Sequence, residues 1–253
     1  MLNKIFNEDC LEGMKRIPDK SIDMILCDLP YGTTTCKWDT IIPFEPLWEQ
    51  YERIIKDDGA IVLTGTQPFT TLLIASNMKL FKYVHYWNKV KPSSFMNAKN
   101  APMKKIEEVV VFSFGTIANG SKRLMKYNPQ GLKLSGAKRP AKNNTVPEGS
   151  TIGKRPSRKN SYIQKYTNYP NNLIEFSFEK RPIHPTQKPV PLFEYLIKTY
   201  TNEGEIVLDN CMGSGTTAIA CMNTKRNYIG FEMDETYFNL ANKRIQERKE
   251  VDA

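Results

Sequence analysis

The sequence predicts an α/β protein, a mostly parallel and covered sheet interrupted once by a basic insert. Three observations predict it. Short apolar runs alternate with amphipathic stretches up to residue 114 and again beyond about residue 182. Between them, from Gly115 to about Tyr169, periodicity vanishes and Gly, Pro, Asn, Ser, Lys and Arg take over. Finally, an apolar strand runs straight into a glycine turn and a helix start at Asp209 to Thr217, the strand-turn-helix order of nucleotide-binding sheets.

The elements follow in order. Ile22 to Cys27 reads as a buried strand, and Pro43 opens a helix from Phe44 to Ile55. Asp57-Asp58-Gly59 turns the chain into a strand from Ala60 to Thr64, and Gln67 to Met78 reads as a helix. Tyr83 to Trp87 and Val109 to Phe114 read as further strands. After the insert come a helix over Val190 to Tyr200, a strand over Ile206 to Leu208, a helix from Thr216, a strand over Tyr228 to Phe231 and a helix from Glu235 to about Lys249. Strands alternating with helices call for a parallel sheet covered on both faces. The expected organisation is one discontinuous domain, 1–114 and 182–253, carrying an insert over 115–181. No internal repeat is visible.

Composition narrows the function classes. The chain has 253 residues, 40% of them hydrophobic and 25% charged, enough for a sizeable core. Lys4, Glu8 and Asp9 in the first ten residues do not fit a secretory signal. The most apolar stretch, Ala60 to Ala75, is broken by Gly65, Gln67 and Pro68 and falls short of the roughly 20 apolar residues of a membrane span. Five cysteines, odd in number and without CxxC pairing, point to reduced thiols in a cytoplasm. With only His85 and His184 present, multi-histidine metal chemistry is not expected, and no metal is assigned. The net charge of +9 is concentrated: Gly120 to Lys165 holds twelve Lys and Arg against Glu148 alone, a local +11 on a body of −2. A neutral body with one basic insert suits a polyanion, nucleic acid first.

Two constellations carry chemistry. In Asp209 to Thr217, Gly213 and Gly215 let backbone approach a ligand closely. The next strand ends in Glu232, an acid at the carboxyl edge able to accept both hydroxyls of a ribose, so the pair suits an adenosine-containing ligand. Ala218 stands where the strict dinucleotide fingerprint has its last glycine, which disfavours a dehydrogenase mildly because that pattern also allows Ala. The strand Ile22 to Cys27 ends in Asp28-Leu29-Pro30-Tyr31. Pro30 fixes the turn, which then presents the Asp28 carboxylate, the Leu29 carbonyl and the Tyr31 ring together. Two acceptors and an aromatic face suit a planar base bearing an amino group. Hydrogen bonds from both N–H groups favour a more tetrahedral, nucleophilic nitrogen, and a base stacked on Tyr31 gains about 1–3 kcal/mol.

Asp28-Leu29-Pro30-Tyr31, the basic insert, His184-Pro185-Thr186-Gln187-Lys188-Pro189 and the glycine turn, in that order, resemble the beta class of DNA amino-methyltransferases. The resemblance covers nearly everything outside Gly115 to Tyr169. It implies a Rossmann-like sheet with one antiparallel strand near an edge, S-adenosylmethionine as cofactor, and transfer to adenine N6, since adenine enzymes head the tetrapeptide with Asp and cytosine-amino enzymes usually with Ser. Asp28, Leu29, Pro30 and Tyr31 would be the catalytic residues. Cofactor contacts would come from Asp9, Cys10 and Asp28, from Thr186 and Lys188 near the methionine end, from Asp209, Cys211, Gly213, Gly215 and Thr216, and from Glu232. Double-stranded DNA would be gripped through Lys122, Arg123, Lys138, Arg139, Lys154, Arg155, Arg158 and Lys159, and the target base flipped out. Leu29 replaces the family's first proline, and Asn210-Cys211 replaces its Pro-Phe.

The alternatives are a cytosine-N4 enzyme, a DNA-binding relative without catalysis, and RNA or protein-glutamine methylation, whose enzymes more often carry Asn at the Asp28 position. The sequence does not decide between a monomer and the homodimer many relatives form, between a solitary enzyme and one with a companion restriction endonuclease, or which DNA site is read. Trp38 and Trp48 read as packing residues, Cys27 and Cys221 as core thiols, and His184 as a structural hydrogen-bonding residue.

Overall fold

The computed structural model describes residues 1–33, 39–137, 163–179 and 187–252. Its strands are β1 (Lys4–Phe6), β2 (Ile22–Cys27), β3 (Ile55–Gly65), β4 (Phe81–Ser93), β5 (Lys104–Phe112), β6 (Lys133–Leu134), β7 (Tyr166–Thr167), β8 (Leu173–Glu175), β9 (Ile206–Asp209) and β10 (Asn227–Phe231). The helices are α1 (Cys10–Met14), α2 (Phe44–Ile54), α3 (Phe69–Ser76), α4 (Val190–Tyr200), α5 (Thr216–Asn223) and α6 (Glu235–Asp252). Eight strands form one sheet in the order β1-β10-β9-β2-β3-β5-β4-β8. Neighbours are parallel except at β5, which runs antiparallel to both β3 and β4. This is the mostly parallel sheet expected from the alternation and the Rossmann-like sheet that the resemblance implies, with its reversed strand third from the β8 edge.

All six residues of β2 are buried, as a central parallel strand covered on both faces requires. Alternation divides them. Met24 and Leu26 join Val62, Val109, Val111 and Val207 under α4, α5 and α6. Ile25 and Cys27 join Ile61, Leu63, Val110 and Leu208 under α1, α2 and α3. Each such fully buried aliphatic side chain contributes about 1.5–3 kcal/mol of transfer free energy, and Leu26→Ala at the sheet centre costs ~2–5 kcal/mol. Trp48 packs edge-on against Tyr51 and Phe112 and donates to Ser76 Oγ at 2.8 Å, in keeping with a packing role. Cys27 and Cys221 are fully buried.

One buried charge ties the sheet together. Asp23 on β2 is 2% exposed; it accepts from Lys56 Nζ at 2.7 Å and the Ile206 N–H at 3.0 Å, with Lys126 Nζ at 3.5 Å. Lys126 also pairs with Glu205. One of the twelve positive charges of the basic stretch is therefore committed to the body of the fold.

The chain divides into two compact units, 1–128 with 172–253 and 129–171. The second is narrower than the expected insert of 115–181. Residues 115–128 return to the larger unit because Met125 is buried in its core and Lys126 N–H donates to Asp58 O at 2.9 Å. Within the smaller unit β6 and β7 pair antiparallel, Lys133 opposite Thr167, and Asn168 Nδ2 donates to Gly131 O at 2.7 Å.

Candidate active site

A cavity of about 780 Å³ opens at the carboxyl ends of β2, β9 and β10, the side where open α/β sheets bind ligands. Its lining brings Asp9, Cys10, Asp28, Leu29, Pro30, Tyr31, Lys188, Asp209, Cys211, Gly213, Thr216 and Glu232 together. In the chain these residues are widely separated. Gly215 does not line the cavity. It caps α5 with φ +79°, and an added Cβ would lie 3.1 Å from the Ala241 methyl, so a side chain there meets both strain and α6. Thr186, His184 and Trp38 lie outside the described residues.

At one end, Glu232 follows β10 directly. Its Oε2 accepts from Gly213 N–H at 2.7 Å and its Oε1 from Asp234 N–H at 2.9 Å, which fixes the carboxylate at the cavity wall. Burial raises the Glu232 pKa above its ordinary 4.5, against the pull of those backbone donors. Below the turn, Asp209 accepts from Cys211 N–H at 3.0 Å and from the Thr217 hydroxyl. Full burial lifts its carboxyl from 3.8 to about 7 despite both bonds. Asn210 turns inward beneath the cavity: Tyr51 Oη donates to its Oδ1 at 2.5 Å, and its amide faces the sulfurs of Cys10 and Cys211 at 3.6 Å. That polar bed is what the Asn210-Cys211 departure creates. Asp9 caps α1, its Oδ1 accepting from Leu11 N–H at 2.8 Å. The helix lies flat on the sheet because residue 13 is glycine; a Cβ there would sit 2.3 Å from the Phe231 ring.

At the other end, Asp28 is surrounded by donors. Its Oδ1 accepts from Tyr31 Oη at 2.5 Å and from the Thr64 hydroxyl, and its Oδ2 accepts from Lys188 Nζ at 2.8 Å. A carboxylate offers about four lone-pair sites, so three donors leave one acceptor position free. Lys188, expected among the cofactor contacts, has its buried ammonium on Asp28 and 3.5 Å from Glu107. Burial works against that ammonium, but the two carboxylates outweigh it and hold its pKa above 10.5. Glu107 in turn meets Lys89 at 3.1 Å, and Lys89 donates to Ser93 Oγ at 2.9 Å. The result is a buried chain of alternating charge, Asp28, Lys188, Glu107 and Lys89, along one wall. Tyr31 is half-buried, backed by the Phe69 ring at 5.0 Å, with the Lys188 ammonium 5.6 Å from its centroid.

Thr64, Glu107 and Lys89 join the site without having been expected from the sequence. Thr64 was within reach of strand reasoning: β2 and β3 pair Cys27 with Leu63, so the next residues, Asp28 and Thr64, emerge side by side at the sheet edge. Glu107 and Lys89 join through the β4-β5 ladder and carry no local signature. Of the expected DNA contacts, Lys122 and Arg123 are exposed in a turn bridged by Thr116 and Leu124. Lys138, Arg139, Lys154, Arg155, Arg158 and Lys159 lie outside the described residues.

A Rossmann-like sheet whose carboxyl edge carries an acid, a glycine turn and an aspartate held by three donors around one cavity is the frame of a group-transfer enzyme with a nucleotide cofactor. The chain belongs to the DNA methylase family of the N6/N4 type, whose model matches residues 22–243. That family is one of S-adenosylmethionine-dependent methyltransferases. The chain is 26% identical over 260 residues to the Type II methyltransferase M1.MboII of Moraxella bovis, covering 95% of each. It is 24% identical over 264 residues to the Type II methyltransferase M.HpaI of Haemophilus parainfluenzae, covering 97% of this chain and 74% of that one. Among solved structures, the M1.HpyAVI-SAM complex superimposes with TM-score 0.60 at 23% identity over 95% and 98% of the chains. The cytosine-N4-specific PvuII DNA methyltransferase gives 0.65 at 16% identity over 98% and 90%.

Proposed function

We propose that the protein methylates the N6 amino group of adenine in double-stranded DNA, taking the base out of the helix into the cavity and working in the cytoplasm. The observation that carries the proposal is Asp28 at the end of β2, an acid fixed by three donors with one acceptor site to spare, in the same cavity as Glu232. When bound, S-adenosylmethionine supplies an electrophilic methyl group on its sulfonium.

The residues of the chain then divide the work. Glu232, at the cavity wall, accepts from the ribose hydroxyls. Asp28 and the Leu29 carbonyl accept from the amino N–H groups of the base and orient the nitrogen lone pair for attack. The Tyr31 ring, with its hydroxyl tied to Asp28 and Phe69 behind it, stacks on the base. Lys188, donating to Oδ2, holds the Asp28 carboxylate in place as an acceptor. Lys122, Arg123 and the basic residues of the 115–181 segment hold phosphates, which sets a steep salt dependence.

Asp28→Ala and Tyr31→Phe test this reading together. Methyl incorporation into DNA should collapse in Asp28→Ala with S-adenosylmethionine affinity retained, and should persist in Tyr31→Phe, which keeps the ring plane. Near wild-type turnover in Asp28→Ala overturns it.

A further inference from the structure

The β4-β5 connection is unlike any other exposed segment described. From Val90 to Ile106 every residue except Ser93 is exposed, so the ribbon leaves the body of the protein. At its apex Phe95 is 80% and Met96 97% exposed, on a single helical turn over Phe95–Asn97. Two large apolar side chains held that far into water gain nothing for folding. The same connection carries the exposed Lys91, Lys99, Lys104 and Lys105, with no acidic residue from Val90 to Ile106. The backbone is held in costly conformations on the way up: Val90, a β-branched residue, has φ +65° and Ser94 has φ +69°, where the β4-β5 register shifts between Asn88 and Ser93.

The apex has a fixed place relative to the site. Ser93 and Lys89 line the cavity, and Lys89 reaches Asp28 through Glu107 and Lys188. Phe95 follows Ser93 by two residues, so its Cα lies within about 7.6 Å of the Ser93 Cα. An apolar point on a lysine-rich ribbon therefore stands at the rim of the pocket that holds Asp28. We propose that Phe95 and Met96 form a wedge that enters the base stack of duplex DNA at the target step, filling the space left by the extruded base while the four lysines hold the flanking phosphates. Apolar side chains inserted between base steps are a general means of unstacking a duplex. The inference rests on the proposed methylation of duplex DNA; charge complementarity selects DNA over a second copy of the chain as the occupant.

The test begins with wild-type protein and long-read detection of modified bases, which yields the recognised site; if no base is modified, the proposed function fails and not the wedge alone. Duplexes containing that site are then prepared with the target base paired or mispaired. A double variant, Phe95→Ala with Met96→Ala, should lose at least about tenfold in kcat/KM on the paired duplex and recover to within about threefold of wild type on the mispaired one, since unstacking is already partly done. S-adenosylmethionine affinity should not change. Phe95→Leu should retain most activity on both. Paired-duplex activity within about twofold of wild type overturns the proposal, as does an equal loss on both duplexes, or a loss that accompanies a change of oligomeric state in sedimentation.

Discussion

Replacing Lys188 with methionine is the perturbation from which the most can be worked out. The side chain is 7% exposed, with its ammonium 2.8 Å from Asp28 and 3.5 Å from Glu107. Methionine fills most of the volume but leaves two carboxylates on one wall with Lys89 as their remaining cation, and that cation sits on Glu107. Uncompensating a buried charge in this way costs about 3–5 kcal/mol. Losing the Lys188 donor also frees the Asp28 carboxylate to turn away from the position it holds beside Tyr31 and Thr64. The kcat/KM for DNA should therefore fall by about tenfold or more, the equivalent of one charged hydrogen bond, with S-adenosylmethionine affinity little changed. The stability deficit should hold across neutral pH, because a lysine held above 10.5 contributes fully below that value and its contribution is lost only as pH rises past its folded pKa. Adding Asp28→Asn removes the stranded charge and should restore a large part of the lost thermal stability, whereas adding Glu107→Gln strands the buried Lys89 ammonium in turn and should not. A Lys188→Met variant with wild-type kcat/KM and an unchanged Tm refutes the account of the charged wall.

Other outcomes follow from the same geometry. Glu232→Ala should weaken S-adenosylmethionine binding; in wild type, calorimetry should find affinity falling on acidification from above pH 4.5, because burial lifts the Glu232 carboxyl and its protonation removes the ribose acceptor. Asp209→Asn keeps the acceptor for Cys211 N–H and removes a charge whose burial penalty opens as pH rises above 3.8 and is complete near 7. Without cofactor it should melt above wild type at alkaline pH by an amount on the order of 4 kcal/mol, the gap closing on acidification. Neutralising Lys154 with Arg155, both outside the described residues, should flatten the log-log salt dependence of DNA binding by roughly 0.9 for each phosphate the pair no longer neutralises, with cofactor affinity constant. An unchanged slope would remove that pair from the DNA grip.

The sheet was legible where burial on both faces writes long apolar runs. β2, β9 and β10 follow the predicted spans within a residue, and the three sit at the floor of the cavity. β1 and α1 were missed because three and five residues are too few to show a period. Asp9 and Glu12 nevertheless have the spacing of a helix N-terminus and could have signalled α1. β4 extends beyond Trp87 and β5 begins well before Val109, since Val90 to Ser93 and Lys104 to Ile106 continue as a solvated ribbon with no core face to impose alternation. The insert boundary moved because one buried methionine, Met125, is too little signal to mark a return to the core. In the site, chain order and short motifs identified the acids and the glycine turn. The partners of Asp28 lie 3, 36 and 160 residues away, and only the nearest was visible without a fold.

The central claim is transfer to adenine N6, and the base itself reports it. Expression of the wild-type chain in a methylation-deficient bacterium, followed by mass spectrometry of the digested DNA, should yield N6-methyladenine, absent when Asp28→Ala is expressed at the same level. N4-methylcytosine as the product, or N6-methyladenine undiminished in Asp28→Ala, would contradict the account.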